Sequence, residues 1–163
     1  MTIEEIREND IAACLEIYNY YIKETFFTLE EAPLAVEEYA ARVHRVMSDG
    51  YPFFVARDEA ERVVGFAYLD VFNPRSGYRH TADLSIYVRH DLRHSHIGGA
   101  LLAAAEEAAR ERNIDNLISI ITAENTASIR FHEKHGFVSE GLLHGIAQKF
   151  GKRFGVAYYR KSL

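Results

Sequence analysis

The stretch Leu84–Glu107, LSIYVRHDLRHSHIGGALLAAAEE, constrains this chain most. Leu84, Ile86 and Val88 alternate as in a β-strand. A short polar turn follows with Arg93, His94, Ser95 and His96, and Ile97-Gly98-Gly99 then leads directly into an Ala/Leu-rich helix. A strand, a turn with close-approach glycines and a helix N-terminus together make a pocket for phosphate. Free backbone N–H groups and the positive end of the helix dipole converge on one spot there. The pattern is neither a P-loop nor a dinucleotide fingerprint, since no Gly-Lys-Ser/Thr is present and the glycine spacing differs.

The remaining elements read in a simple order. Thr2–Arg7 alternates as a first strand, and Asn9 or Asp10 is placed to cap a helix running to about Lys23. Thr25–Pro33 is a loop rich in Phe and Glu, before a second helix over about Leu34–Ser48 that Asp49-Gly50 ends. Tyr51–Arg57 and Val63–Phe72 form a hairpin, Asn73–Gly77 is a turn-rich loop, and Tyr78–Val88 is a further strand. Asn116–Ala123 is a continuous β-branched run with two apolar faces, which predicts a central position in the sheet. Asn125–His135 reads as a helix stopped by Gly136. Phe137–Lys149 and Phe154–Leu163 read as a terminal hairpin turning through Phe150–Arg153. The order β-α-α-β-β-β-α-β-α-β-β predicts a mixed α/β domain over residues 1–163, one twisted sheet with helices on both faces.

Composition narrows the function classes. The chain has 163 residues, 48% hydrophobic and 26% charged, which suits one globular domain with a proper core. A net charge of −5 argues against a broad nucleic-acid-binding face. No apolar run approaches ~18 residues, so no membrane span is expected. Met1–Asp10 carries acids and lacks the apolar core of a secretion signal. The single Cys14 has no internal disulfide partner and fits a reducing cytoplasm. It lies in an apolar-periodic helix and reads as a buried structural thiol. His94-Ser95-His96 has neither the spacing nor the partners of a metal site, and no metal is expected.

The turn at 93–99 resembles the R/Q-x-x-G-x-G/A segment of the GCN5-related N-acetyltransferases (GNAT). Further segments resemble, in order, the phosphinothricin / methionine sulfoximine N-acetyltransferase subfamily. They are Ile17–Ile22 in the first helix, Gly77–Thr81 with Ser85–Val88 in the central strand, Ala123–Glu133 and Lys149–Lys152. The sequence departs from the subfamily at two positions: Asp83 stands where Glu is usual, and His96 where the first glycine of the phosphate turn is usual. A non-glycine at 96 is restricted if that position requires φ > 0.

The resemblance implies a GNAT fold, acetyl-CoA as co-substrate and transfer of acetyl to a small amino-acid-like amine; direct transfer in a ternary complex is expected because no activated nucleophile is evident in the sequence. It assigns the pyrophosphate to Arg93, His94, Ser95, His96, Ile97, Gly98 and Gly99. The pantetheine amides go to the strand edge at Ser85, Ile86, Tyr87 and Val88, with a backbone N–H near Ser85–Tyr87, after a bulge, on the thioester carbonyl. Asn125 and Ser128 share a helix face as further cofactor contacts.

Acyl transfer to an amine needs a base, and Asp83 is the candidate; the alternative is pairing with Arg79 or Arg75. His132 is the candidate for protonating the departing thiolate; the alternative is a helix histidine bonded to a carbonyl. Phe27, Leu29 and Glu31 in the early loop, with Arg75, Tyr78 and Arg79 before the base strand, are the candidate substrate contacts. An Arg fork suits a carboxylate or phosphinate. Acetylation of another amine or a protein N-terminus, and an acetyl-CoA-binding module without turnover, are the competing readings. The resemblance also implies a homodimer, with the terminal strands offering an edge to cover.

Overall fold

The computed structural model describes residues 1–92 and 95–163. One seven-stranded sheet runs through it in the order β1-β2-β3-β4-β5-β7-β6. Its strands are β1 (Thr2–Glu5), β2 (Phe53–Arg57), β3 (Val63–Val71), β4 (Thr81–Val88), β5 (Asn116–Thr122), β6 (Val138–Lys149) and β7 (Lys152–Ser162). The helices are α1 (Ile11–Glu24), α2 (Val36–Ser48), α3 (Ile97–Glu111) and α4 (Thr126–Lys134). Neighbouring strands are antiparallel except β4 and β5, whose parallel pairing needs the α3 crossover.

Each face of the sheet has its own core. On one, Cys14, Ile17, Val43 and Val46 of α1 and α2 pack on Phe53, Val55 and Phe66. On the other, Leu101, Leu102, Ala105 and Ala109 of α3 pack on Ala67, Leu69, Leu84 and Leu117. Gly65 allows that approach, because a Cβ there would lie 3.0 Å from the Tyr87 carbonyl and 3.2 Å from Ile97 and Leu101. Cys14 is fully buried, and burial pushes its thiol well above the usual range. β5 lies inside the sheet as expected, although Ile120 keeps 45% of its surface exposed.

Several element ends differ from the sequence reading, each for a visible reason. Asp10 precedes α1 but does not cap it with its side chain. Its carboxylate instead accepts from the Arg7 N–H at 2.8 Å and, through both oxygens, from Arg57 at 2.7 and 2.8 Å. This also ends β1 at Glu5 rather than Arg7. Leu34 stays outside α2 because its N–H and carbonyl bond the Asn19 amide at 2.9 and 3.1 Å. A 3-10 turn over Ser76–Tyr78 delays β4 to Thr81. The terminal hairpin turns in only two residues, Phe150 and Gly151, both left-handed (φ 52° and 72°). No bulge interrupts β3–β4, whose register is continuous from Gly65↔Val88 to Val71↔Ala82.

Candidate active site

The irregularity lies instead between β4 and β5. These strands pair only at Thr81↔Asn116, Ala82↔Leu117 and Asp83↔Ile118. Beyond Asp83 they part, and the β5-facing backbone edge of β4 loses its strand partner. A cavity of about 280 Å³ fills the opening. Its walls are Leu84–Val88 on β4, Ser119–Ile121 on β5, Gly98 at the start of α3, and Asn125, Ser128 and His132 at α4.

The parting therefore gathers most of the expected cofactor contacts. Ser85, Ile86, Tyr87, Val88, Ser95, Gly98, Asn125 and Ser128 all line the cavity. Ile97 lies beneath it in the core, 8% exposed. Gly99 and His96 are not part of its wall. Arg93 and His94 lie outside the described residues. His96 has φ −76°, an ordinary right-handed conformation, so this position does not demand glycine. Gly98 has a packing reason to be glycine: a Cβ there would sit 3.3 Å from the Phe131 ring. α3 starts at Ile97, so the amides of its first turn and its positive dipole end open beside Gly98.

Asn125 caps α4, its Oδ1 accepting from the Ser128 N–H at 3.2 Å, as the sequence predicts. His132 is 6% exposed and its Nδ1 lies 2.8 Å from the Ser128 carbonyl. A carbonyl only accepts, so Nδ1 carries the proton and Nε2 the lone pair. Burial lowers the imidazole's proton affinity, and nearby His135 lowers it further against the opposing Ser128 bond. His132 is thus both the carbonyl-bonded histidine and a cavity wall. Ser119 escaped the sequence reading. Its hydroxyl is buried in the wall with no hydrogen-bond partner among the described residues. The only trace of it in sequence is a polar residue inside the apolar run of β5.

Asp83 stands at the fork, on the face opposite α3. It is half-buried and has no hydrogen bond or ion pair with any described residue, Arg75 and Arg79 included. Burial, and secondarily the charge of Asp70, push its carboxyl up to about 7. Ser85, Tyr68 and Tyr87 continue the same face. The early loop is strapped over this region. Thr122 donates to the Phe26 carbonyl and Lys149 to the Thr28 carbonyl, both at 2.8 Å, and Phe26 stacks on Phe154. Tyr18 bonds Thr28 and Glu30, and Arg42 grips Glu30 at 2.7 and 2.9 Å.

The expected substrate contacts divide. Phe27 joins the cavity wall beside Tyr21 and Tyr87. Leu29 is half-buried and Glu31 exposed. Arg75, Tyr78 and Arg79 lie exposed in the β3–β4 connection, and none of them lines the cavity. Among the described residues no cluster of His, Cys, Asp and Glu has the makings of a metal site, and no helix is long and apolar enough to cross a membrane.

Known proteins resemble this chain over nearly its whole length. A family model described as an acetyltransferase (GNAT) domain matches residues 3–156. The chain is 32% identical over 154 residues to an L-methionine sulfoximine/L-methionine sulfone acetyltransferase of Pseudomonas paraeruginosa, covering 94% of this chain and 90% of that one. A solved ribosomal-protein-alanine N-acetyltransferase from Brucella melitensis superposes with a TM-score of 0.96 at 37% identity, over 100% of both chains. A GNAT superfamily phosphinothricin acetyltransferase from Sinorhizobium meliloti, in complex with AcCoA, gives 0.95 at 30% identity, over 99% of this chain and 88% of that one.

Proposed function

The chain belongs to the GNAT acetyltransferase family, and from that premise we propose that it acetylates the α-amino group of a small amino acid, or of a phosphinate, sulfoximine or sulfone analogue, by direct transfer in a ternary complex. It is an acetyl-CoA-dependent N-acetyltransferase. The opening between β4 and β5 fits that donor. An unpartnered strand edge suits the pantetheine amides, and the α3 N-terminus suits the pyrophosphate.

One observation supports the reading most: the strands part immediately after Asp83, a carboxylate with no partner among the described residues and a proton affinity near neutrality. An ammonium must lose one proton before its nitrogen can attack the thioester carbon, and Asp83 takes it. As the C–N bond forms and the C–S bond breaks, the nitrogen gives up a second proton. His132 accepts this at Nε2 and returns it to the sulfur. A backbone N–H near Ser85–Tyr87 meets the carbonyl oxygen. Two observations favour direct attack: Cys14 lies in the α1–α2 core, not in the cavity wall, and the Ser128 hydroxyl, 3.3 Å from His132 Nδ1, faces a nitrogen that already carries its proton.

Arg75, Tyr78 and Arg79 receive the acid group of the acceptor, and Phe27, Leu29 and Glu31 close over it. The Brucella relative is named for a protein acceptor, which makes an N-terminal peptide the competing substrate. The strapped loop with Phe27 in the wall favours the small molecule, because it narrows the path a peptide would need. Exposed Val138, Leu142, Leu143 and Ile146 on β6 favour a homodimer, and the lone buried Cys14 suits the cytoplasm.

The test measures thiol release from acetyl-CoA with methionine sulfone, methionine sulfoximine, phosphinothricin, the common amino acids and an alanine-starting peptide. Turnover on one or more small amino acids or analogues, far above the peptide, is expected. Turnover on the peptide alone would contradict the proposal.

A further inference from the structure

Asp83 does not stand alone on its face. The β3–β4 register sets Asp70 directly opposite it, and side chains opposed in this way share a face. Two carboxylates so placed repel each other. Arg45 of α2 reaches across and holds Asp70 through both oxygens, at 3.0 and 2.6 Å. Its Nη1 also lies 3.2 Å from Asp49.

The other groups around Asp83 leave this arrangement undisturbed. On β3 the next residue of the face is Tyr68, and on β4 it is Ser85. On β5 the register partner is the neutral Ile118, and behind it on β7 stands Arg160. Arg160 is already engaged by Glu140 at 2.9 Å and Asn116 at 3.2 Å. Tyr51, beyond α2, feels Asp70 and Asp49 and is itself raised, by burial first. On α2, Arg42 acts on Tyr68 of the same face but is held by Glu30 at 2.7 and 2.9 Å, so Asp70, with its Arg45, is the charged group set directly opposite Asp83.

We propose that Asp70 and Arg45 are positioning residues that set the proton affinity of Asp83: Asp70 supplies the opposing negative charge, and Arg45 limits how much of it Asp83 feels. The inference rests on Asp83 as the base. The upward displacement of the Asp83 carboxyl, with Asp70 as its second cause, agrees with it. It also gives the shorter Asp side chain a means of holding a proton near neutrality without a direct partner.

The experiment follows kcat/KM against pH for the wild type, Asp70→Asn, Arg45→Gln and Asp83→Asn, with melting curves to confirm folding. Arg45 is 48% exposed and Asp70 22%, so neither substitution falls in a core. Asp70→Asn is expected to move the acid limb down by about half a pH unit or more, and Arg45→Gln to move it up by a similar amount. Asp83→Asn is expected to lose the limb and about 100-fold or more in rate. If Asp70→Asn and Arg45→Gln lower the rate equally at every pH with the limb unmoved, the inference is overturned while the base stands. A limb that persists in Asp83→Asn overturns the base, and the inference with it.

Discussion

Asp83 is a carboxylate whose burial raises its proton affinity strongly, and this has a consequence for stability. Its carboxyl titrates near 7 in the folded chain, against about 3.9 when unfolded. Between those values the folded state keeps a proton that the unfolded state has released. Stability therefore falls as pH rises from about 4 to about 7, and stays reduced above that. Asp83→Asn removes the charge. It is expected to unfold at higher urea than the wild type at pH 8, by about 2 kcal/mol for a half-buried carboxylate, with the difference vanishing near pH 4. Equal midpoints at both pH values would show that Asp83 titrates normally. His132 shows a different economy of protons. Its Nδ1 bond to Ser128 fixes the tautomer, and burial keeps the ring neutral, so its contribution at neutral pH is a lone pair held in place.

Among the elements, the early loop and the β6–β7 hairpin are coupled by Lys149. Its side chain is buried, its ammonium bonds the Thr28 carbonyl, and burial lowers its proton affinity. Lys149→Met keeps the length and removes this tie. It is expected to raise KM for the amine about tenfold while leaving affinity for CoA within about twofold, at a stability change of about 1 kcal/mol. A loss confined to CoA binding would mean that the loop does not shape the acceptor side. The elements themselves were largely legible in sequence, because α3 and β5 carry their periodicity locally. The ends shifted where a distant residue competed, as Arg57 does for Asp10 and Asn19 for Leu34. The cavity wall at Ser85–Val88, Gly98, Asn125 and Ser128 was legible because one strand–turn–helix unit and one helix cap supply it. Asp70, Arg45, Ser119 and Lys149 were not, because their roles depend on strand register and on contacts many residues away.

For the whole molecule, a sheet with separate cores on its two faces holds β3–β4 and β5–β7 as two packed halves whose strands pair directly only at Thr81–Asp83. The cavity in the parting is lined from both sides, by Tyr21, Phe27 and Tyr87 and by Ile86, Gly98 and Ser128, and the proposed reaction places donor and acceptor there together. Everything about the reaction then depends on CoA occupying that parting. Isothermal titration of CoA into the wild type and Gly98→Leu tests this most directly. The added isobutyl group would press on Phe131 and fill the cavity wall. One site per chain in the wild type, weakened at least tenfold in a folded Gly98→Leu variant, is the expected result. Absence of binding in the wild type, or undiminished binding in the variant, would contradict a donor site between β4 and β5.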